Sequence, residues 1–279
     1  MNNIIYPCLW FNGNAREAAE FYCSVFDNTA ISSDNHLVVM VESAGQKFMC
    51  LNGGPEYSIN PSISFYVACE TEAETDRLWK VLLDGGTVMM PIDKYDWSTR
   101  YGWLQDRFGV NWQLAFGSIS EIGQKFTPVL MFTGKQNGRA EEAIHLYTSI
   151  FQDSAIKGIM RYSKGANEVE GAVQHAQFAL GKQLFMAMDS SLQHQFSFNE
   201  AVSFVVECKN QEEIDYYWEK FTEGGEEAQC GWLKDKFGVS WQIVPTILSE
   251  LMSDPFRSER VINAFLKMKK FEIDKLLNA

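Results

Sequence analysis

The sequence predicts an α+β protein: two related domains in tandem, then a helical tail. Two observations carry this. Long blocks of the chain recur in the same order, and each copy runs twice through an apolar strand, an amphipathic helix and further short strands. YGWLQDRFGVNWQL at 101–114 returns as CGWLKDKFGVSWQI at 230–243, and ISFYVACETEAETDRLWKVLLDGG at 63–86 returns as VSFVVECKNQEEIDYYWEKFTEGG at 202–225. YPCLWFNGNAREAAEFYCSVFDNTAI at 6–31 returns, with four extra residues, as TPVLMFTGKQNGRAEEAIHLYTSIFQDSAI at 127–156. The repeat is too long for a solenoid. Its seam falls near 118–126, which gives domains at 1–120 and 126–247 and a tail at 248–279.

Each copy opens on an apolar run, 6–11 or 128–132, which leads through Gly and Asn into a helix at 15–26 or 140–151. In the first of these helices Ala15, Ala18, Ala19, Tyr22 and Phe26 share one face, and Asn14 is placed as the N-cap. Strands are predicted at 37–42 and 47–52, and in the second copy at 173–180 and 183–189, the latter pair joined by a tight Leu180-Gly181-Lys182 turn. A buried strand follows at 63–69 or 202–208. Next comes a charged helix, 72–83 or 211–223, stopped by a Gly-Gly pair, and then a hairpin. Residues 247–252 and 258–277 read as helical. Val261, Ile262, Phe265, Met268, Ile273, Leu276 and Leu277 would line one stripe, suited to packing on the second domain or on another subunit.

A formal charge of −12 argues against a nucleic-acid partner, which would demand clustered Lys and Arg. No run approaches the ~20 apolar residues of a membrane helix, and MNNIIYPCLWFNG lacks the marks of a secretory signal. The six cysteines follow no close spacing, so reduced, buried thiols in a cytoplasmic protein are expected. The four histidines show no ligand spacing. There is no GxSxG and no GxxxxGK[ST], and the acidic pairs Glu141-Glu142 and Glu226-Glu227 read as solvated faces.

FNGNAREAAEFYCSVF, FMCLNGG, MPIDKYDWSTRYGWLQDRFGVNWQ, FNEAVSFVVEC, CGWLKDKFGVSWQIVP and the tail segment RVINAFLKMKKFEIDKL resemble the vicinal oxygen chelate superfamily. Within it they are similar to the PhnB-like proteins labelled 3-demethylubiquinone-9 3-methyltransferase. The resemblance covers nearly the whole chain. It implies tandem glyoxalase-like domains, each of two βαβββ modules with curved sheets around a cleft, plus the helical tail. Single-domain members usually dimerise. A duplicated chain can make the equivalent pairing internally or with a second chain, so a homodimer is one expectation.

Metal-dependent members converge His, Glu or Gln side chains from four strands on one divalent ion. Carried over by position, the first-strand ligand falls on Pro7 or Pro128, the next on Ser62 or Ala201, and another near Cys50 or Ala187. The last strand alone keeps a donor, Gln113 or Gln242. No divalent metal is therefore expected. Neither is S-adenosylmethionine, because no GxGxxG turn follows a strand and the Gly-Gly pairs at 85–86 and 224–225 follow helices.

What remains is a cleft of apolar and aromatic groups with a few amides. Its candidate lining is Trp10, Met49, Trp97, Trp103, Gln113, Met186, Met188, Trp232 and Gln242. The first copy also has a ten-residue surplus at 87–101, carrying Tyr95, Trp97, Arg100 and Tyr101. This is either a cover for a cleft mouth or a strand and turn that the second copy has lost. The expected function is a glyoxalase-like protein handling a small apolar or aromatic molecule without the usual metal, in the lyase or isomerase class if an enzyme. One alternative is a metal-free ligand-sequestering protein, whose ligand the charge of −12 would favour as cationic. The other is an assembly protein with filled clefts.

Overall fold

The computed structural model describes residues 4–279. Four strand–helix–strand modules follow one another. The first holds β1 (Ile5–Phe11), α1 (Ala15–Val25), β2 (Thr29–Asp34), β3 (Val38–Ser43) and β4 (Gln46–Asn52). The second holds β5 (Ile63–Cys69), α2 (Glu72–Leu82), β6 (Thr87–Tyr95), β7 (Ser98–Gln105) and β8 (Asn111–Phe116). After a short helix, α3 (Ile119–Ile122), the third holds β9 (Phe126–Phe132), α4 (Ala140–Ile150), β10 (Ala155–Arg161), β11 (Val173–Leu180) and β12 (Gln183–Asp189). The fourth holds β13 (Val202–Cys208), α5 (Gln211–Thr222), β14 (Glu226–Glu227), β15 (Trp232–Lys234) and β16 (Ser240–Pro245).

The strands form two eight-stranded sheets. One runs β14-β15-β16-β13-β1-β4-β3-β2 and the other β10-β11-β12-β9-β5-β8-β7-β6. Each sheet thus takes one module from each repeat, the first with the fourth and the second with the third. The joins are antiparallel: Ile5–Leu9 against Val202–Val206, and Ile63–Val67 against Phe126–Leu130. Both joins are made within the one chain. The two loops that cross between sheets bond to each other reciprocally, Asn60 Nδ2 donating to the Ser197 carbonyl and Asn199 Nδ2 to that of Ser58.

One face of each sheet joins the helices in a continuous core. Leu9, Phe48, Phe65, Phe132, Phe204 and Trp241 are among its buried members. The predicted helices begin where expected, but the Asn14 side chain makes no cap bond. The Ala15 amide is instead capped by Asn52 Oδ1 at 2.9 Å, from the end of β4. Strands β2 and β10, missed from sequence, are edge strands whose residues are mostly exposed, so no apolar alternation marks them.

The tail holds α6 (Ile247–Ser253), α7 (Ser258–Phe265) and α8 (Ile273–Leu277), so 258–277 is not one helix as expected. Between α7 and α8 the Met268 and Lys269 carbonyls accept the Cys230 and Gly231 amides at 2.7 Å. That demand from the shortened strand pair of the fourth module breaks the helix.

The repeats carry surface ion pairs that report on pH. Glu142 accepts a hydrogen bond from Arg139 at 2.9 Å and pairs with Lys236 at 2.7 Å, which together hold its carboxyl down at about 2. A lowered carboxylate contributes stability above its unfolded value and loses it as pH falls from about 4.5 towards 2. The side chain is half exposed, so solvent screening limits the effect to at most ~1 kcal/mol. In urea unfolding, Glu142→Gln is expected to be less stable than the parent by up to that amount at pH 6 and equal to it near pH 2. A constant difference across that range would refute the assignment.

Candidate functional site

The face of each sheet turned away from α1, α2, α4 and α5 carries its own small apolar cluster; on the second sheet the short α3 also meets this face, its Ile122 carbonyl accepting from Gln177 Nε2 at 2.9 Å. On the first sheet the strand registers align Tyr6 with Val205, Cys8 with Ser203 and Met49, and Gln242 with both Val205 and Trp232. On the second, Val129 aligns with Ser64 and Met186, Met131 with Met188, and Gln113 with Tyr66 and Trp103. Registered partners lie on the same face. Nine candidates proposed from sequence therefore divide between two faces: Trp10, Met49, Trp232 and Gln242 on the first, Trp103, Gln113, Met186 and Met188 on the second, and Trp97 at the tip of the second sheet's edge hairpin.

A glutamine sits at each polar centre. Gln242 Nε2 donates to Ser203 Oγ at 2.9 Å, and the Cys8 thiol lies beside both. Burial pushes that thiol up to about 12, so it stays protonated at neutral pH. In the second sheet Gln113 Nε2 donates to Ser64 Oγ at 2.8 Å, while its Oε1 accepts from the Tyr101 hydroxyl at 2.9 Å. Both glutamines are more than nine-tenths buried. Nearby, burial raises the Tyr66 hydroxyl to about 12.

The positions carried over for metal ligands lie elsewhere. Pro7 and Pro128 align with the core residues Phe204 and Phe65, while Cys50 and Ala187 belong to the helix-side core. Ser62 and Ala201 precede their strands, and the residues that share a face with Gln113 and Gln242 are Ser64 and Ser203. A shift of one residue along a strand moves a side chain to the opposite face, and this explains most of the difference. The residues that share the opposite face are Cys8, Met49, Ser203 and Gln242 on one sheet and Val129, Met186, Ser64 and Gln113 on the other. Among the described residues no three His, Cys, Asp or Glu side chains gather closely enough to hold a metal.

Residues 87–101 form β6 and the start of β7, an edge hairpin with its tip at Asp96 and Trp97. Tyr95 and Trp97 stack at 4.9 Å, and Tyr101 meets both edge-on at 5.6 and 5.8 Å. The fourth module keeps only two- and three-residue strands here.

Sequence reading missed two aspartates. Asp106 accepts from the Tyr22 hydroxyl (2.9 Å), the Trp112 indole (2.8 Å) and the Phe108 and Val110 amides. Asp235 repeats this with Tyr147 (2.6 Å), Trp241 (2.9 Å), Phe237 and Val239. Each ties a helix on one sheet to a turn of the other, so Trp112 and Trp241 serve the core rather than a cleft. The available signal was an aspartate recurring six residues before tryptophan in QDRFGVNW and KDKFGVSW.

No helix among the described residues is long and apolar enough to cross a membrane. No curated protein matches the chain. Among solved structures, a PhnB protein from Bacillus cereus is 34% identical over 40% of this chain and 98% of its own, with a TM-score of 0.38. Glyoxalase I from Zea mays shares the fold, with a TM-score of 0.59 over 91% of this chain and 97% of its own, at 10% identity. The family model described as 3-demethylubiquinone-9 3-methyltransferase matches residues 3–115 and 124–244. With most of both repeats inside that match, the chain belongs to this PhnB-like family of the vicinal oxygen chelate superfamily.

Proposed function

We propose that the protein binds a small, uncharged, apolar or aromatic molecule against a sheet face turned away from the four long helices, with no resident divalent metal and no S-adenosylmethionine. The observation that carries this is the pair of polar centres. Each offers one neutral amide, already engaged by serine and, in the second sheet, by Tyr101 as well, among methionine and aromatic side chains. Catalytic metal sites need about three good protein donors. A hydroxyl, a protonated thiol and thioethers do not supply them.

Sequestration fits these centres better than acid–base catalysis. Glutamine, serine, a buried tyrosine and a thiol raised to about 12 do not exchange protons near pH 7. Six free thiols suit a reducing compartment.

A second reading, an assembly protein with filled clefts, is favoured by the burial of Tyr6, Cys8, Gln113 and Gln242 beneath their own neighbours. Two measurements separate the readings. After extensive dialysis, elemental analysis is expected to find no stoichiometric Ni, Zn, Mn or Fe. Uncharged aromatic aldehydes and ketones are expected to raise the melting temperature, since ligand at 100 times its Kd adds ~2.7 kcal/mol. A stoichiometric metal would overturn the metal-free reading, and no shift with any compound would leave the filled-cleft reading in its place.

A further inference from the structure

We propose that the face of the second sheet, rather than the first, is the ligand site, and that it takes an uncharged planar aromatic compound bearing a carbonyl-type acceptor, received by the Trp103 indole N–H. This rests on the small-molecule reading above and gives it a place and a ligand chemistry.

Trp103 lies on β7 in register with Gln113 on β8 and Met90 on β6. Its side chain is nine-tenths buried, and its Nε1 is buried with no hydrogen-bond partner among the described residues. A buried donor without an acceptor is costly and uncommon in folded proteins. It lies in one cluster with Met90, Met131 and Met188, whose flexible thioether chains can repack around an inserted group. An acceptor brought in by a ligand would satisfy the donor.

The edge hairpin supplies the second half of the site. The Tyr95–Trp97 stack sits next to Tyr101 in the Trp103 cluster, and Trp97 is 63% exposed, leaving a large aromatic surface open to solvent. A planar ring fits such a surface by offset stacking. Gln113, Ser64, Tyr101 and Gln177, polar groups of the same face, are uncharged, and burial favours the neutral form of His175 beside them on β11. Asp93, in register with Tyr101, is exposed on β6, so a charged group held inside would meet no buried counter-charge.

The first sheet offers neither feature. The Trp10 indole already donates to the Gly54 carbonyl at 2.8 Å, and its ring is held edge-on by Tyr57 at 5.1 Å and Trp232 at 5.9 Å. Ion pairs from Lys47 to Glu207 and Lys234 to Glu200 adjoin that face. The hairpin that would complete an aromatic wall is missing from the fourth module.

The test uses the full chain with 15N-labelled tryptophan, its indole signals assigned by single Trp→Phe substitutions. It is titrated with 2-acetylnaphthalene and with the matched hydrocarbon 2-ethylnaphthalene. The ketone is expected to move the Trp103 and Trp97 signals and to bind about five- to tenfold more tightly than the hydrocarbon. Trp103→Phe should abolish that preference, and Trp97→Ala should weaken both compounds alike. Melting curves establish that each variant folds; if Trp103→Phe does not, the Trp103 signal of the parent protein decides. Equal affinity for the two compounds at the second sheet overturns the indole donor. Movement of the Trp10 and Trp232 signals instead overturns the choice of face. No binding of either compound, together with a flat thermal screen, overturns the small-molecule reading itself.

Discussion

A chain ended after Pro245 is expected to lose cooperative folding. The missing segment carries Leu251, Val261, Met268, Phe271 and Leu276, all buried in the main core. At ~1.5–3 kcal/mol for each buried side chain, the loss is roughly 10 kcal/mol, comparable with the whole stability of a typical domain. It also strips the Cys230 and Gly231 amides of their acceptors.

The tail does here what β6 does in the first repeat. Gly102 lies under Trp79 and the Ile92 backbone, whereas its counterpart Gly231 lies under Phe271. A Cβ on Gly231 would stand 2.4 Å from the Phe271 ring, on a backbone at φ +81° that favours glycine. Phe271→Ala should cost ~3–5 kcal/mol as a core deletion. A truncated protein that stays soluble and melts within a few degrees of the parent would refute this role.

Asp106→Ala and Asp235→Ala should each cost ~4 kcal/mol, read as a fall in the urea midpoint with an unchanged slope. Each substitution leaves a tyrosine hydroxyl, an indole and two amides buried without their acceptor. A loss under ~1.5 kcal/mol would show that the tie between sheets is dispensable.

Their pH behaviour is opposite to that of Glu142. Desolvation raises both carboxyls above the usual 3.8 despite the donors around them. The stability linked to a raised carboxylate is fully present below its unfolded value and is lost as pH rises through the folded one. These two aspartates therefore do not drive acid unfolding, whereas Glu142 contributes to it.

The amino-acid pattern located the repeat, the four first-in-module strands and the four long helices, because blocks such as FYVACE and VVEC are apolar and α1, α2, α4 and α5 have one clear buried face. It singled out Gln113, Gln242, Trp10, Trp103 and Trp232, which the strand registers place on the sheet faces turned away from the long helices. The pattern was silent on β2 and β10, since an exposed edge strand needs no apolar alternation. It placed the carried-over ligand positions on the helix side, because strands buried on both faces, such as β9 and β13, carry no alternation from which to read which side faces the helices.

The chain's composition and local periodicity thus established the number of modules, their order and the residue types available to a binding face. Folding in three dimensions settled how the modules combine. IYPCLWF, ISFYVAC, FTPVLMF and VSFVVEC are near-equivalent apolar strands, and local sequence gives none of them a unique neighbour. The joining of first with fourth and second with third is made by ladders between distant segments, Ile5–Leu9 with Val202–Val206 and Ile63–Val67 with Phe126–Leu130, while the ties at Asp106 and Asp235 hold the two sheets to each other. That choice sets Cys8 beside Gln242 on one face, and on the other the Trp103 indole has no acceptor among the described residues.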